Sequence, residues 1–199
     1  IIESIRESLK VDGKQYAIPG NVGSVALAWM TEPLQRAGIT ERPLTWDDVY
    51  QAAKKIKEVA PEYIPFDSAL TPLCDLWAMI WGASDKPITD EGLVDITGEA
   101  SIAALKWMRQ MVDEELMPET RTGPQSTTNE AFSNWQKGAT AIITSYDVAG
   151  TINQATFGKE AAATGLNMRR ERDVVRAGTP FWVNGCVVLN EAKNPQAMT

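Results

Sequence analysis

The chain has 199 residues, 44% of them hydrophobic and seven of them tryptophan, which is enough apolar material for one domain or one large lobe and too much for a disordered segment. Its formal charge of -7 argues against a protein that tracks nucleic-acid phosphates. It contains no histidine, which excludes Ser-His-Asp and Cys-His nucleophile systems, HExxH zinc sites and imidazole acid–base chemistry.

In chain order, residues 11–19 read as a hairpin-like unit with its turn at Asp12-Gly13, and residues 16–18 as a short strand closed by Pro19. Residues 21–24 read as a polar loop and 25–30 as a buried strand. A short helix over 33–37 is predicted to stop at Gly38. The clearest helix covers 45–60: Thr45 is its N-cap, Asp48 completes a capping box, and Pro61 ends it. Val49, Ala52, Ala53, Ile56 and Val59 or Ala60 form its apolar stripe, with Lys54, Lys55, Lys57 and Glu58 toward water.

Residues 66–71 read as a loop before a buried helix over 72–81, stopped at Gly82. A polar excursion over 84–96 turns at Glu91-Gly92. A second long helix is predicted over 99–117, inward at Ile102, Leu105, Trp107 or Met108, and Val112, and closed by Pro118. A helix over 129–137 places Ala131, Phe132 and Trp135 inward and breaks at Gly138. Residues 139–144 read as a strand, 152–163 as a helix and 181–189 as a strand interrupted at Asn184-Gly185. Residues 194–197 look like the start of another helix, so with Ile1 at the other end both termini read as cut. Strands separated by helices indicate an α/β fold. No run of eighteen apolar residues and no basic-then-apolar leader is present in these residues.

Cys74 and Cys186 lie far apart in apolar settings, which excludes a CxxC pair and suits small buried hydrophobes, with a disulfide as the second reading. Trp107 and Trp135 fall on apolar helix stripes and read as core. Trp77 and Trp81, four apart, share a helix face that either packs inward or offers one ring to a cleft. Trp182 stands beside Asn184 and Gly185 and divides evenly between packing and ligand contact.

Ligands of α/β sheets bind beyond the carboxyl ends of strands, so Ser145, Tyr146 and Asp147, after the 139–144 strand, are the best cleft candidates. The competing reading of Asp147 is a loop carboxylate capping the next turn. Asp67, Asp75 and Asp147 together allow a glycosidase-type carboxylate pair, although nothing in their spacing demands one. The acidic stretch 85–99 lacks the calcium-loop pattern, and no metal or cofactor site is expected. Aromatic rings that cover the apolar faces of a pyranose, with Asp, Asn and Ser on its hydroxyls, would make a sugar pocket.

Several segments together resemble one family. Asp12-Gly13-Lys14-Gln15-Tyr16-Ala17-Ile18-Pro19 is similar to a DGK-x-Y-x-x-P strand, and Leu34 to Ile39 followed by Pro43 to Val49 to an LF-x-KAG…P-x-TW segment. Gly92 to Asp95 before the helix at Ala100, Ala131 to Ile142 and Asn194-Pro195-Gln196-Ala197 resemble three further segments in the same order. The family is the extracellular solute-binding proteins, family 1, with a maltodextrin-binding-protein-like, type II periplasmic-binding-protein architecture.

The resemblance implies a two-lobed α/β binder that closes by a hinge on a mono- or oligosaccharide and passes it to the membrane permease of an ABC importer. It implies no catalysis, no cofactor, and a periplasmic or extracellular place with a lipid anchor possible. Residues 1–24 would be a first-lobe remnant and first hinge crossing, 25–180 the second lobe, and 181–199 the returning hinge strand and the start of a first-lobe helix. Ligand contacts would come from Asn21 and Ser24, from Asp67 and Ser68, from Trp77, from Ser145, Tyr146 and Asp147, and from Trp182, Asn184 and Gly185. Two departures stand out. Trp29-Met30 replaces the family's Tyr-Asn, and Tyr146-Asp147-Val148 replaces its G-x-W, so Tyr146 takes the place of a stacking tryptophan. Glycerol-3-phosphate or another small polar solute is the alternative ligand, although no phosphate-binding arginine cluster is visible. A carbohydrate-active enzyme and a sensor built on the same lobe are the alternative functions.

Overall fold

The structure, a computed structural model, describes residues 3–69, 72–84, 87–119, 128–146, 149–165 and 181–187. The readings made for Asp147, for Asp85 and for residues 188–199 lie outside the described residues, as do the side chains of Phe181 and Trp182. The chain divides into two compact units, Ile1–Ser24 with Phe181–Thr199, and Val25–Pro180.

In the smaller unit a short helix α1 (Glu3–Glu7) precedes the hairpin of β1 (Lys10–Val11) and β2 (Lys14–Gln15). Asp12 and Gly13 both have positive φ, 49° and 75°, which is the turn geometry that suits the twist of a tight hairpin. The strand expected at 16–18 begins only at Ile18, as β3 (Ile18–Met30), and Pro19 lies inside it rather than closing it. The pairing register shifts between Pro19 and Asn21, and such a bulge relieves the ladder of the amide that proline lacks.

Residues 21–24, expected as a loop, are strand, because they pair antiparallel with β7 (Phe181–Cys186). Nor does Asn184-Gly185 interrupt β7. A Cβ on Gly185 would stand 2.7 Å from the Ala17 Cβ, so the glycine is explained by close packing against Ala17 and Leu9.

The larger unit is an α/β sandwich. Its sheet runs β4 (Ile64–Ser68), β5 (Thr140–Tyr146), the second half of β3, then β6 (Ala162–Gly165). β4 and β5 are parallel, whereas β3 is antiparallel to β5 and β6. The helices are α2 (Thr31–Arg36), α3 (Trp46–Val59), α4 (Pro72–Ala83), α5 (Glu99–Asp113), α6 (Thr128–Gln136) and α7 (Ala149–Phe157).

β5 is buried from Thr140 to Ser145, so both of its faces are covered. On one face Phe66 of β4 meets the edge of Trp107 of α5, with centroids 5.7 Å apart, and Trp107 meets Trp46 at 5.2 Å. The Trp107 indole N–H donates to the Trp46 carbonyl at 3.0 Å. On the other face Ile143 clusters with Ala28, Met30, Ala131, Trp135, Ala149 and Ala162.

Several elements differ from the sequence reading. Residues 64–68, read mostly as loop, form β4 because β5 supplies a parallel partner. α4 runs through Gly82 to Ala83. α5 ends at Asp113, and Glu115 takes a positive φ of 53° before Pro118 is reached. Its inward stripe is Ser101, Ala104, Met108 and Met111, whereas Ile102 and Leu105 are exposed. α7 starts and stops earlier than expected, ending before Gly158 (φ 104°), and 162–165 are strand. Val59 is exposed and Ala60 buried, while Lys54 is half-buried with its Nζ 5.3 Å from the Tyr50 ring centroid. Cys74 is half-buried and Cys186 exposed, so neither is a fully buried hydrophobe, and neither is in a disulfide.

The start of α3 matches expectation. Thr45 Oγ1 accepts from the Asp48 N–H at 3.0 Å, and the Asp48 carboxylate accepts from the Thr45 N–H at 3.1 Å. Thr45→Ala is expected to lower stability by about 1 kcal/mol, with Thr45→Ser recovering most of it, as read from urea midpoints. An alanine variant as stable as the parent would contradict this role.

Candidate functional site

The carboxyl ends of β4 and β5 lie side by side because the two strands are parallel, with Ser68 opposite Thr144 and Asp67 opposite Ile143. The Ala69 N–H extends the ladder by donating to the Thr144 carbonyl at 2.9 Å. Side chains alternate along each strand, so Phe66 and Ser68 share one face with Ile142 and Thr144, while Asp67 shares the other with Ile143 and Ser145.

Four candidate residues meet at this edge. Asp67, Ser68 and Ser145 are buried, and Tyr146 is 48% exposed at the last position of β5. The Asp67 Oδ1 accepts the Ser68 N–H at 2.8 Å, which orients the end of β4. The Ser145 Oγ is buried without a hydrogen-bond partner. Tyr146 was expected just past its strand. It sits instead within the strand, opposite Val25 of β3, which fixes its backbone while leaving its ring at the surface.

Asp75, in the first turn of α4, completes the group. It is only 3% exposed, and burial pushes its carboxyl up to about 6, with Ser68 and Thr144 opposing the rise and the charge of Asp67 adding to it. One of its oxygens, Oδ1, has no hydrogen-bond partner, and Thr144 Oγ1 approaches without the geometry of a full hydrogen bond. The sequence reading raised Asp75 only as a member of a carboxylate pair. The charge of Asp67 is felt at Asp75, but the strand alternation directs Asp67 to the other face of the sheet from Ser68 and Thr144, and both carboxyls are buried.

The remaining candidates lie apart from this edge. Trp77 is half-buried against Trp81, with ring centroids 6.4 Å apart. In the smaller unit Asn21 is opposite Asn184, and the Asn184 Nδ2 donates to the Asn21 Oδ1 at 2.7 Å. Ser24 is half-buried opposite Phe181, and Trp182 pairs with Gly23 through its backbone. A hollow of about 790 Å3, lined by Met30, Tyr63, Lys137 and Phe157 among others, opens at the opposite end of β5 and contains none of the candidates. Among the described residues no cluster of three metal-ligating side chains occurs, and no helix is long and apolar enough to cross a membrane.

The structure is similar to the maltose-bound MalE3 of T. maritima, with a TM-score of 0.80, 19% identity and coverage of 99% of this chain and 51% of that one. It is also similar to an ABC transporter associated binding protein from B. animalis subsp. lactis Bl-04 in complex with β-1,6-galactobiose, with a TM-score of 0.71, 25% identity and coverage of 98% and 48%. In sequence it is 26% identical to a putative binding protein of Brucella abortus over 137 residues, 67% of this chain and 32% of the relative. An arabinooligosaccharide-binding protein of Bacillus subtilis is 23% identical over 137 residues, 66% and 30% of the two chains. The chain thus spans about a third of the sequence relatives and about half of the structural ones. Residues 1–198 match the bacterial extracellular solute-binding proteins. The chain belongs to that family, and its larger unit has the α/β fold of its type II periplasmic-binding-protein neighbours.

Proposed function

We propose that this chain carries the solute-facing part of the substrate-binding component of an ABC importer, and that the solute is a carbohydrate. The observation that carries the reading is the polar edge at the carboxyl ends of β4 and β5. There the one exposed aromatic ring of β5, Tyr146, stands at the strand end beside the buried polar residues Ser145, Asp67 and Ser68 of the two strand termini, in a member of a solute-binding family. An aromatic face beside hydroxyl and carboxylate groups is the chemistry a sugar ring needs. The maltose, galactobiose and arabinooligosaccharide named for similar proteins support the same class.

In this reading residues 25–180 form the second lobe, and residues 1–24 and 181–199 belong to the first lobe and the hinge strands. Asn21, Ser24, Trp77, Asp147, Trp182, Asn184 and Gly185 stand as further candidate contacts. The protein performs no chemistry on its solute, and the burial of both Asp67 and Asp75 counts against a catalytic carboxylate pair there. Its second partner is the membrane permease, met in the periplasm or outside the cell. Lobe closure over the solute supplies the affinity, as a population shift toward the state with more contacts.

Calorimetry on the whole protein tests this, with maltose, arabinotriose, β-1,6-galactobiose, glycerol-3-phosphate and spermidine as probes. Tight binding of one saccharide is expected. Binding of glycerol-3-phosphate or spermidine alone would overturn the carbohydrate assignment, and hydrolysis of nitrophenyl glycosides lost in Asp147→Asn would overturn the binder. Tyr146→Ala is expected to weaken saccharide binding by about 1–3 kcal/mol, whereas Tyr146→Phe retains most of the affinity.

A further inference from the structure

The outer face of α5 is an apolar surface that solute binding leaves unused. Its buried residues, Ser101, Ala104, Met108 and Met111, point one way, and a turn of about 100° per residue puts Glu99, Ile102, Ala103 and Lys106 on the opposite side. Ile102 is 45% exposed, and Leu105, on the flank of the same face, is 50% exposed. Both line a shallow hollow together with Lys106, Arg109 and Asp113. The segment that leads into α5 adds Ile88, Leu93 and Ile96, all exposed. Scattered exposed apolar residues are ordinary, but five between residues 88 and 105, rimmed by charge, mark a surface that meets another protein.

The charges on this face identify the partner. Glu99 and Lys106 stand two helical turns apart, both exposed, with Ile102 and Ala103 between them. Neither forms an ion pair with a described residue, whereas Arg109 and Asp113 already satisfy each other at 2.6 Å. A face that is acidic at one end, basic at the other and apolar in the middle is complementary to itself turned end for end. We propose that the outer face of α5 is a symmetric dimer interface, on which a second copy of this chain docks antiparallel. With the two-fold axis between Ile102 and Ala103, Glu99 of each copy meets Lys106 of the other, and the two Ile102 side chains pack beside the axis. The small Ala103 lets the two helices approach closely. A pair of helix faces buries less than the roughly 1,200 Å2 that a stable interface covers, so the association is weak and reversible. It does not depend on the identity of the solute, because none of the candidate contacts lies on this face.

Sedimentation velocity on the whole protein, from micromolar to near-millimolar concentration at low salt, reads the association. An average mass that rises toward twice the monomer is expected. Ile102→Glu, at an exposed position where the fold tolerates it, is expected to weaken association more than about tenfold. Glu99→Lys and Lys106→Glu each place like charges across the axis and are expected to weaken it about threefold to tenfold. The double variant Glu99→Lys with Lys106→Glu restores opposite charges and is expected to associate nearly as well as the parent. Circular dichroism confirms that each variant is folded. A whole protein that stays monomeric throughout overturns the proposal, whether the face is then free or covered by another part of the protein or by a different partner. Association that Ile102→Glu leaves unchanged overturns it by placing the contact elsewhere, and a double variant as weak as the single ones overturns the antiparallel pairing.

Discussion

Trp135→Ala is expected to remove about 4 kcal/mol of stability, enough to leave the larger unit at the margin of folding. The indole is fully buried within the cluster of Ala28, Met30, Ala131, Ile143, Ala149 and Ala162. Deleting a buried aromatic leaves a cavity that a small-residue surround cannot collapse into, and this cavity cost is the larger share. Two hydrogen bonds raise the penalty. The Trp135 indole N–H donates to the Ala149 carbonyl at 2.9 Å, and the Trp135 carbonyl accepts from the buried Asn153 amide at 2.7 Å. The first bond is lost with the ring, while the second depends on α6 keeping its place beside α7.

Trp135→Phe separates the two effects, because it keeps most of the apolar bulk and loses only the N–H. It should cost about 1–3 kcal/mol, for the lost hydrogen bond and the smaller ring. Urea denaturation followed by circular dichroism reads both values. An alanine variant with the parent midpoint would show that the cluster of small residues does not depend on this ring.

The contrast between Trp135 and Ile102 shows what the sequence could reveal. Trp135 and Ala131 lie four apart in a short helix with few apolar positions, so only one orientation buries them. The 99–113 helix offers two overlapping stripes. The larger side chains, Ile102 and Leu105, are the exposed ones, and the smaller Ala104 with Met108 and Met111 faces inward. Size favoured the wrong stripe, and the packing of the helix against α4 decides between them. The capping box at Thr45 was legible because it is a local hydrogen-bond exchange within four residues.

Strands whose partners are distant were not legible. Asn21 to Ser24 has the composition of a loop and becomes strand through β7, more than 150 residues away. Pro65, Asp67 and Ser68 hid β4 for the same reason, and small residues hid β6. At the candidate edge, Ser145 and Tyr146 followed from the rule about strand ends. The burial of Asp75 did not, because it depends on α4 placing a carboxyl near Ser68 and Thr144.

That placement makes the second large effect a dependence on pH. An unfolded aspartate titrates near 3.8 and folded Asp75 at about 6, so between those values the folded chain holds a proton that the unfolded chain releases. Stability linked to this group is therefore complete below about 4 and is lost as pH rises through 6, a sign opposite to that of a salt-bridged carboxylate. The gap corresponds to about 3 kcal/mol at pH 7, undiscounted for solvent because the group is buried.

Asp75→Asn keeps the shape of the neutral acid and cannot ionise. Near pH 4 the variant should match the parent to within about 1 kcal/mol. By pH 7 it should be the more stable of the two, by up to about 3 kcal/mol. Other carboxylates, such as Glu62 beside Arg36 and Glu114 beside Gln110 and Tyr50, are held below their usual range and respond to pH in the opposite direction. They are common to both proteins and cancel in the difference. Guanidinium unfolding of the pair at pH 4, 5.5 and 7 measures that difference directly. A gap that does not widen with pH would mean that water already reaches Asp75 in the folded protein and that its carboxyl is charged there without penalty.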